Sequence, residues 1–315
     1  MFAPLIPYIP GDKFELPIPL IGSLLGTDKP PSIKPFGTLV ALGVYIGSVV
    51  AMRHARQRNL DPKKMNEFIF WVVGLGFVGG HVLDAIFYHP TRVARDPLYL
   101  LMLWDGLSSY GGFIGAITGA LLWRWSRRSN ILGYCEVVNS AFPLAWVFGR
   151  AGCSVVHDHP GRLSDAWFAV RYPASSAAIP GGGPDAVIGR FDLGLYECLL
   201  SIPLAVAFWW LWRKKPIRPL GFYTGIMCTA YAPVRFLLDF LREREGSGVL
   251  GGDPRYAGLT PAQWACFGLL AMGIYFLRMA WLAPEPTEAG PPPKKRRKKP
   301  TKGQDDKATK AEEPA

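Results

Sequence analysis

Arg235 and Asp239 stand four residues apart in Tyr231-Ala232-Pro233-Val234-Arg235-Phe236-Leu237-Leu238-Asp239-Phe240-Leu241-Arg242, so a helix there carries a guanidinium and a carboxylate on one face. Ionised groups in so apolar a stretch are costly, and each needs a partner or a purpose. Arg150 closes a second apolar run in Gly149-Arg150-Ala151-Gly152-Cys153, and Glu197 follows Tyr196 near the start of a third. Asp105, Tyr110, Asp84 and His81 add polar groups at similar depth. Two guanidiniums with carboxylates and phenols suit an anionic phosphate head group, because the planar fork of Arg binds phosphate through paired hydrogen bonds. The apolar segments around them would hold acyl chains, and a phospholipid is the ligand that needs both. The blander readings are an Arg150 that snorkels to an interface and an Arg235–Asp239 pair that is only structural.

The run His157-Asp158-His159-Pro160-Gly161 raises a metal reading, since two histidines and a carboxylate can supply three ligands. No further His, Cys or Glu at a recognised spacing completes such a site, and Cys153 would need an unusual loop to join it. No metal and no cofactor are expected. A loop held by Asp and His hydrogen bonds, with one of them acting as acid or base, is the favoured reading. The five cysteines form no CxxC pair, which argues against a zinc cage or a disulfide scaffold.

These residues must be positioned by elements that cross a membrane. Of 315 residues, 50% are hydrophobic and only 19% charged, against about 25% charged in an average soluble protein. That is too little charge for a coiled coil or a disordered hub. Seven apolar stretches approach the roughly 20 residues needed for a span: Phe36 to Met52, Phe68 to Tyr88, Leu107 to Trp125, Leu132 to Phe148, Phe191 to Trp212, Phe222 to Phe240, and Pro261 to Leu282. Apolar Leu98 to Trp104, interrupted by Asp105-Gly106, suggests a segment that dips before the third span. The fold expected is all-α and polytopic, with seven transmembrane helices and a small extracytoplasmic head. The N-terminal 1–35 lies outside, 36–284 is the catalytic membrane domain with its head at 151–190, and 285–315 is a disordered basic tail. In the head, Trp167 to Val170 reads as a short strand and Pro180 to Pro184 as a turn-rich loop. No cleavable signal peptide is evident.

Orientation follows from the basic loops, because the formal charge of +11 is concentrated in them and in the tail. Arg53, Arg56, Arg58, Lys63 and Lys64 follow the first span, Arg124, Arg127 and Arg128 the third, and Arg213, Lys214, Lys215 and Arg218 the fifth. All three loops are expected inside, with the N-terminus outside and the C-terminus inside. The run Lys294 to Lys299 would adsorb to anionic lipid head groups, and nucleic acid is not an expected partner.

Several stretches together resemble the prolipoprotein diacylglyceryl transferases of bacterial inner membranes. Leu103 to Gly115, with Tyr110-Gly111-Gly112, resembles the family's Trp-to-Gly-Gly approach to a span, one residue shorter. Gly149-Arg150-Ala151-Gly152-Cys153 through Gly161-Arg162 resembles its signature, Leu195-Tyr196-Glu197 its L-Y-E, and Tyr231 to Arg242 its Y-x-x-x-R-F-x-x-[ED]-x-x-R. The resemblance covers roughly Phe36 to Leu282. It implies an enzyme that moves the diacylglyceryl group of phosphatidylglycerol onto the lipobox cysteine of a prolipoprotein, forming a thioether and releasing glycerol phosphate. It also implies that the partners are phosphatidylglycerol, the prolipoprotein signal peptide and membrane lipids, and that the chain works as a monomer. By the same resemblance Arg150 and Arg235 bind the phosphate and stabilise its departure, and Glu197 orders an arginine or holds glycerol hydroxyls. Gly111, Gly112, Tyr196, Asp239 and Arg242 complete the substrate site. Tyr110 stands where better-known members have a histidine proposed as base, so the role passes between Tyr110, His157, Asp158 and His159. Two alternatives stand beside this reading: a divergent paralogue that binds phospholipid or lipoprotein without turnover, and a polytopic transporter, for which no internal repeat is found.

Overall fold

A computed structural model describes residues 4–11, 16–17, 32–103, 106–173, 187–215, 217–243 and 255–283, and the side chains of these except Leu16, Pro17, Tyr88 and Tyr110. Eight α-helices dominate: α1 (Pro35–Gln57), α2 (Pro62–Tyr88), the short α3 (Pro90–Arg95), α4 (Ser109–Arg127), α5 (Leu132–Val156), α6 (Leu193–Lys214), α7 (Phe222–Leu238) and α8 (Pro261–Leu282). Among the described residues, α1, α2, α6 and α8 are each long and apolar enough to cross a membrane. Their outward surfaces are apolar as well: Phe70, Trp209, Trp210 and Trp281 are all exposed by half or more. Water would penalise such surfaces and lipid does not, so the chain is a helical membrane protein.

Helix starts follow ordinary capping chemistry. Asp61 accepts from the Lys63 amide ahead of α2, Ser108 from Gly111 ahead of α4, and Asp192 from Leu195 ahead of α6. Thr260 and Gln263 form a reciprocal capping box at the start of α8. Helix α7 begins after Gly221 in a left-handed conformation and is capped from another helix: the buried Glu136 of α5 accepts from the Tyr223 amide at 2.6 Å and the Thr224 hydroxyl at 2.8 Å. A carboxylate there also opposes the positive end of the helix dipole.

The helices pack chiefly as α2 on α4, α1 on α5, α5 on α6, and α7 on α8. The α2–α4 seam is made of glycine. A Cβ on Gly79 would meet the Gly111 carbonyl oxygen at 2.7 Å, and one on Gly115 would collide with the Leu75 carbonyl. Backbones this close need small residues on both sides.

The structure redraws several expected boundaries. Helix α5 continues past Phe148, the expected end of the fourth span, to Val156, with His157 as its C-cap. Phe191, expected to open the fifth span, belongs to a strand, and α6 starts at Leu193. The Leu98 stretch forms a 3-10 turn, Pro97–Leu101, with Gly106 at positive φ and Asp105 outside the described residues. The strand expected at Trp167 to Val170 lies at Val170–Pro173 instead. Ala169 closes a turn onto the Ala166 carbonyl, and only from Val170 does the buried–exposed alternation of a strand begin.

That strand belongs to a four-stranded sheet. The strands are β1 (Ile6–Pro7), β2 (Leu16–Pro17), β3 (Ser32–Ile33), β4 (Pro160–Leu163), β5 (Val170–Pro173) and β6 (Val187–Asp192), and the sheet order is β1-β5-β6-β4, with β2 and β3 paired separately. β1 joins β5 in parallel, Ile6 opposite Val170, so part of 1–35 is built into the head. The Pro180 to Pro184 loop and the 285–315 tail lie outside the described residues.

The seam yields a test. Gly115→Val should cost about 1–3 kcal/mol by overpacking, read as a lower melting temperature in detergent. Gly74→Ala on α2, where an added Cβ meets nothing within 4 Å, should leave it unchanged.

Candidate active site

A continuous chain of charge joins the ends of four helices. Glu197, on the second turn of α6, is 2% exposed and places Oε2 at 2.7 Å from Arg150 Nε and Oε1 at 3.3 Å from Arg235 Nη1. Arg235 Nη1 also pairs with Asp239 Oδ1 at 2.9 Å, and Arg242 Nε reaches the same oxygen at 3.1 Å. The other Asp239 oxygen accepts the hydroxyl of Thr260, the residue that caps α8. Arg150 therefore comes from the last turns of α5, Arg235 from α7 and the Asp239 partner Thr260 from the start of α8, all converging on carboxylates that are almost fully buried. The Arg150 guanidinium also lies 4.4 Å above the Trp146 ring, one turn earlier.

Among the described residues, the guanidiniums of Arg150, Arg235 and Arg242 gather on the carboxylates of Glu197 and Asp239. Side-chain exposure grows along it, from 7% at Arg150 to 14% at Arg235 and 23% at Arg242. The cluster thus has a buried end and an open end. Beside Glu197 and Tyr231, a cavity of about 300 Å³ opens between α6 and α7, walled otherwise by Leu200, Ser201, Pro203, Leu204, Ala230 and Val234. The Tyr231 hydroxyl donates to Glu197 Oε2 at 3.3 Å, so a carboxylate and a phenol line a mostly apolar groove.

The head is tied to this cluster at two points. Gly161 of β4 bridges to Arg242, and Arg190 of β6, fully buried, donates from Nε to the Gly161 carbonyl and from Nη2 to Glu243 at 2.9 Å. Nearby, Asp192 joins three elements. It caps α6, accepts the Tyr172 hydroxyl at 2.9 Å and lies 2.5 Å from His157 Nδ1. Burial, and then the Asp192 carboxylate, push the Tyr172 phenol well above its usual range, so it stays a hydrogen-bond donor. His157 Nε2 meets the Ile9 carbonyl at 3.1 Å, and the ring stacks on Tyr8 at 4.2 Å, which fastens the N-terminal strand to the end of α5.

His157 and His159 are thus used differently. Asp158 pairs with His159, Oδ1 to Nδ1 at 2.5 Å, and the Cys153 thiol approaches the same carboxylate. The loop closes on Cys153 after all: among the described residues, Cys153, Asp158 and His159 are the group whose ligand atoms converge, within 4.8 Å of one another. They are the residues that could hold a cation. Two donors on one carboxylate account for the convergence equally well.

The remaining expected residues fall at varying distance from the cluster. Gly111 and Gly112 line the α2–α4 seam, and the Tyr110 side chain is not among those described. Tyr196 donates to the Phe168 carbonyl at 2.7 Å and so faces the head rather than the arginines. His81 lies between the Tyr99 and Gly106 carbonyls, at 2.9 and 3.2 Å, and Asp84 pairs with His89 at 3.7 Å. Asp192, Arg190, Glu243, Thr260 and Trp146 were not anticipated. Trp146 carries a linear signal in its four-residue spacing from Arg150, and Asp192 and Thr260 in their three-residue spacing from the amides they cap. The contacts that bring Asp192, Arg190, Glu243 and Thr260 to this region are with residues far away in the chain.

A family model described as "Prolipoprotein diacylglyceryl transferase" matches residues 25–279. Among curated proteins, the phosphatidylglycerol–prolipoprotein diacylglyceryl transferase of Chromohalobacter salexigens is 32% identical over 76% of this chain and 83% of its own length. The one from Sinorhizobium medicae is 29% identical over 76% of this chain and 86% of its own, and that from Vibrio parahaemolyticus 29% over 84% and 92%. With the arginine–carboxylate cluster formed by the very stretches that resemble the family's motifs, and with most of its length matched, this chain belongs to the prolipoprotein diacylglyceryl transferase family.

Proposed function

We propose that this protein transfers the diacylglyceryl group of phosphatidylglycerol to the lipobox cysteine of prolipoproteins, the first step of lipoprotein maturation. The observation that carries the reading is the Glu197 bridge between Arg150 and Arg235, with Glu197 also lining a mostly apolar groove. A phosphodiester is an anion, and Arg150, Arg235 and Arg242 supply three guanidiniums side by side to meet it. The groove between α6 and α7 suits an acyl chain, while Arg150, Arg235 and Arg242 face the head group with Asp239 holding the latter two in place. Tyr231 and Glu197 are placed for the glycerol hydroxyls, and Tyr196, Gly111 and Gly112 shape the walls.

In the reaction, the thiol sulfur attacks the glyceryl carbon that bears the phosphate. The C–S bond forms, the C–O bond breaks with its electrons left on the phosphate oxygen, and glycerol phosphate departs. Fixed guanidiniums stabilise the charge that grows on that oxygen, and in a water-poor site such stabilisation is worth more than in water. The thiol must lose its proton, and the groups at hand are Tyr110, His157, Asp158 and His159.

All seven long helices cross the membrane in this reading. The basic stretches support it, since they gather at the end opposite the site: Arg58 donates to the Arg218 carbonyl, and Arg127 pairs with Glu67. The chain then lies in the bacterial inner membrane with its N-terminus and head outside and its C-terminus in the cytoplasm.

Incubation of the detergent-purified protein with phosphatidylglycerol and a one-cysteine lipobox peptide, followed by peptide mass and glycerol phosphate release, tests the function. A diacylglyceryl mass addition is expected, and its absence sinks the reading. Arg150→Ala and Arg235→Ala should each lower turnover by about 10²-fold or more, and deletion of 285–315 should leave it near normal. Asp239→Ala removes the shared partner of Arg235 and Arg242 and should cost about 3–5 kcal/mol of stability, measured as a lower melting temperature.

A further inference from the structure

Three consecutive side chains, His157, Asp158 and His159, offer themselves as proton acceptors, and their hydrogen bonds separate them. His157 presents both ring nitrogens to oxygen acceptors, Asp192 Oδ2 and the Ile9 carbonyl. Both nitrogens are thus occupied by oxygens of this chain, and neither is open to a substrate. Its residue is also the left-handed C-cap of α5, at φ 53°, and its ring is stacked on Tyr8. His157 is a fastening.

His159 is arranged in the opposite way. Its Nδ1 meets Asp158 Oδ1 at 2.5 Å and must carry the proton, which makes Nε2 the nitrogen with the lone pair. Among the described residues Nε2 has no hydrogen-bond partner. Its side chain is 24% exposed, open enough to meet a peptide arriving from the head side. The backbone is held as well: the His159 carbonyl accepts the Leu193 amide at the start of α6, which also carries Glu197. On its other side Asp158 accepts from Cys153, one turn of α5 beyond Arg150. Through Cys153 the dyad is tied to the same end of α5 that carries Arg150, and neither His159 nor Asp158 lines the groove between α6 and α7.

We propose that His159 is the catalytic base that removes the proton of the incoming lipobox thiol, and that Asp158 is a positioning residue that fixes its tautomer. The proton passes from sulfur to Nε2, the thiolate forms the C–S bond, glycerol phosphate leaves with the C–O electron pair, and the imidazolium returns its proton to water. This rests on the transferase reading above.

The test compares two lipobox peptides, one with the natural cysteine and one with selenocysteine, whose selenol is already an anion at neutral pH and needs no base. Turnover of the cysteine peptide by the unaltered protein establishes the transferase reading first, so that its failure is seen separately. His159→Gln should then lower kcat for the cysteine peptide by about 10²-fold or more and leave the selenocysteine peptide within about tenfold of the unaltered protein. Asp158→Asn should show the same split to a smaller degree. Undiminished turnover of the cysteine peptide by His159→Gln overturns the proposal, and so does an equal loss with both peptides, which marks a structural role. A third arm treats the unaltered protein with a chelator: activity should persist, whereas loss that Zn²⁺ restores would make the Cys153, Asp158 and His159 cluster a metal site and overturn the assignment.

Discussion

One carboxylate ties three of this protein's long helices together. Glu197 reaches Arg150 with one oxygen and Arg235 with the other, and so joins α5, α6 and α7 at a single buried point. Taking three charged groups out of water costs several kcal/mol each, and only close geometry and further hydrogen bonds offset it. Both conditions are met: Tyr231 adds a hydrogen bond to Glu197, and Asp239 gives Arg235 a second partner while drawing in Arg242 and the cap of α8. Removing Glu197 would leave two guanidiniums facing each other in an apolar bundle. The network is a scaffold because it is expensive, and in the proposed reaction its arginines give it a use.

The head follows from the same constraint. Where a chain leaves a helix near the membrane its backbone groups need partners, and here they find them in one another. Asp192 caps α6 while fixing His157 and Tyr172, and Arg190 ties β4 and β6 to the residue after Arg242. The sheet is thus pinned to the open end of the charge cluster. In the proposed reaction that is where the two substrates meet, the lipid from between α6 and α7 and the peptide from the head side. The glycine seam between α2 and α4 does different work, bringing two backbones into contact so that their remaining surfaces can face lipid.

Some of this could be read directly from the order of residues. Each of the seven apolar stretches lies largely within a long helix, and four of these helices are long and apolar enough to cross a membrane among the described residues, because length and hydrophobicity are local properties. The Arg235–Asp239 pair was legible for the same reason, since a helical turn brings residues four apart together. Helix ends were read less well. Phe191 is as apolar as the span it was assigned to, and it is the pairing of Val187–Asp192 with β4 and β5 that makes it a strand.

The parts that depend on distant partners required the fold. Arg150 as a snorkelling side chain and Arg150 as half of a buried pair have the same sequence, and what decides between them is Glu197, 47 residues on, arriving at 2.7 Å. His157 and His159 are the same residue type two positions apart. The left-handed turn at His157 sends one ring to Asp192 and Ile9 and leaves the other to Asp158. Residue type and spacing settle which groups are ionisable and whether a helix can form around them. Which ionisable groups become partners is settled by long-range packing, because burial sets the cost of a charge and only the folded chain determines what lies within reach to offset it.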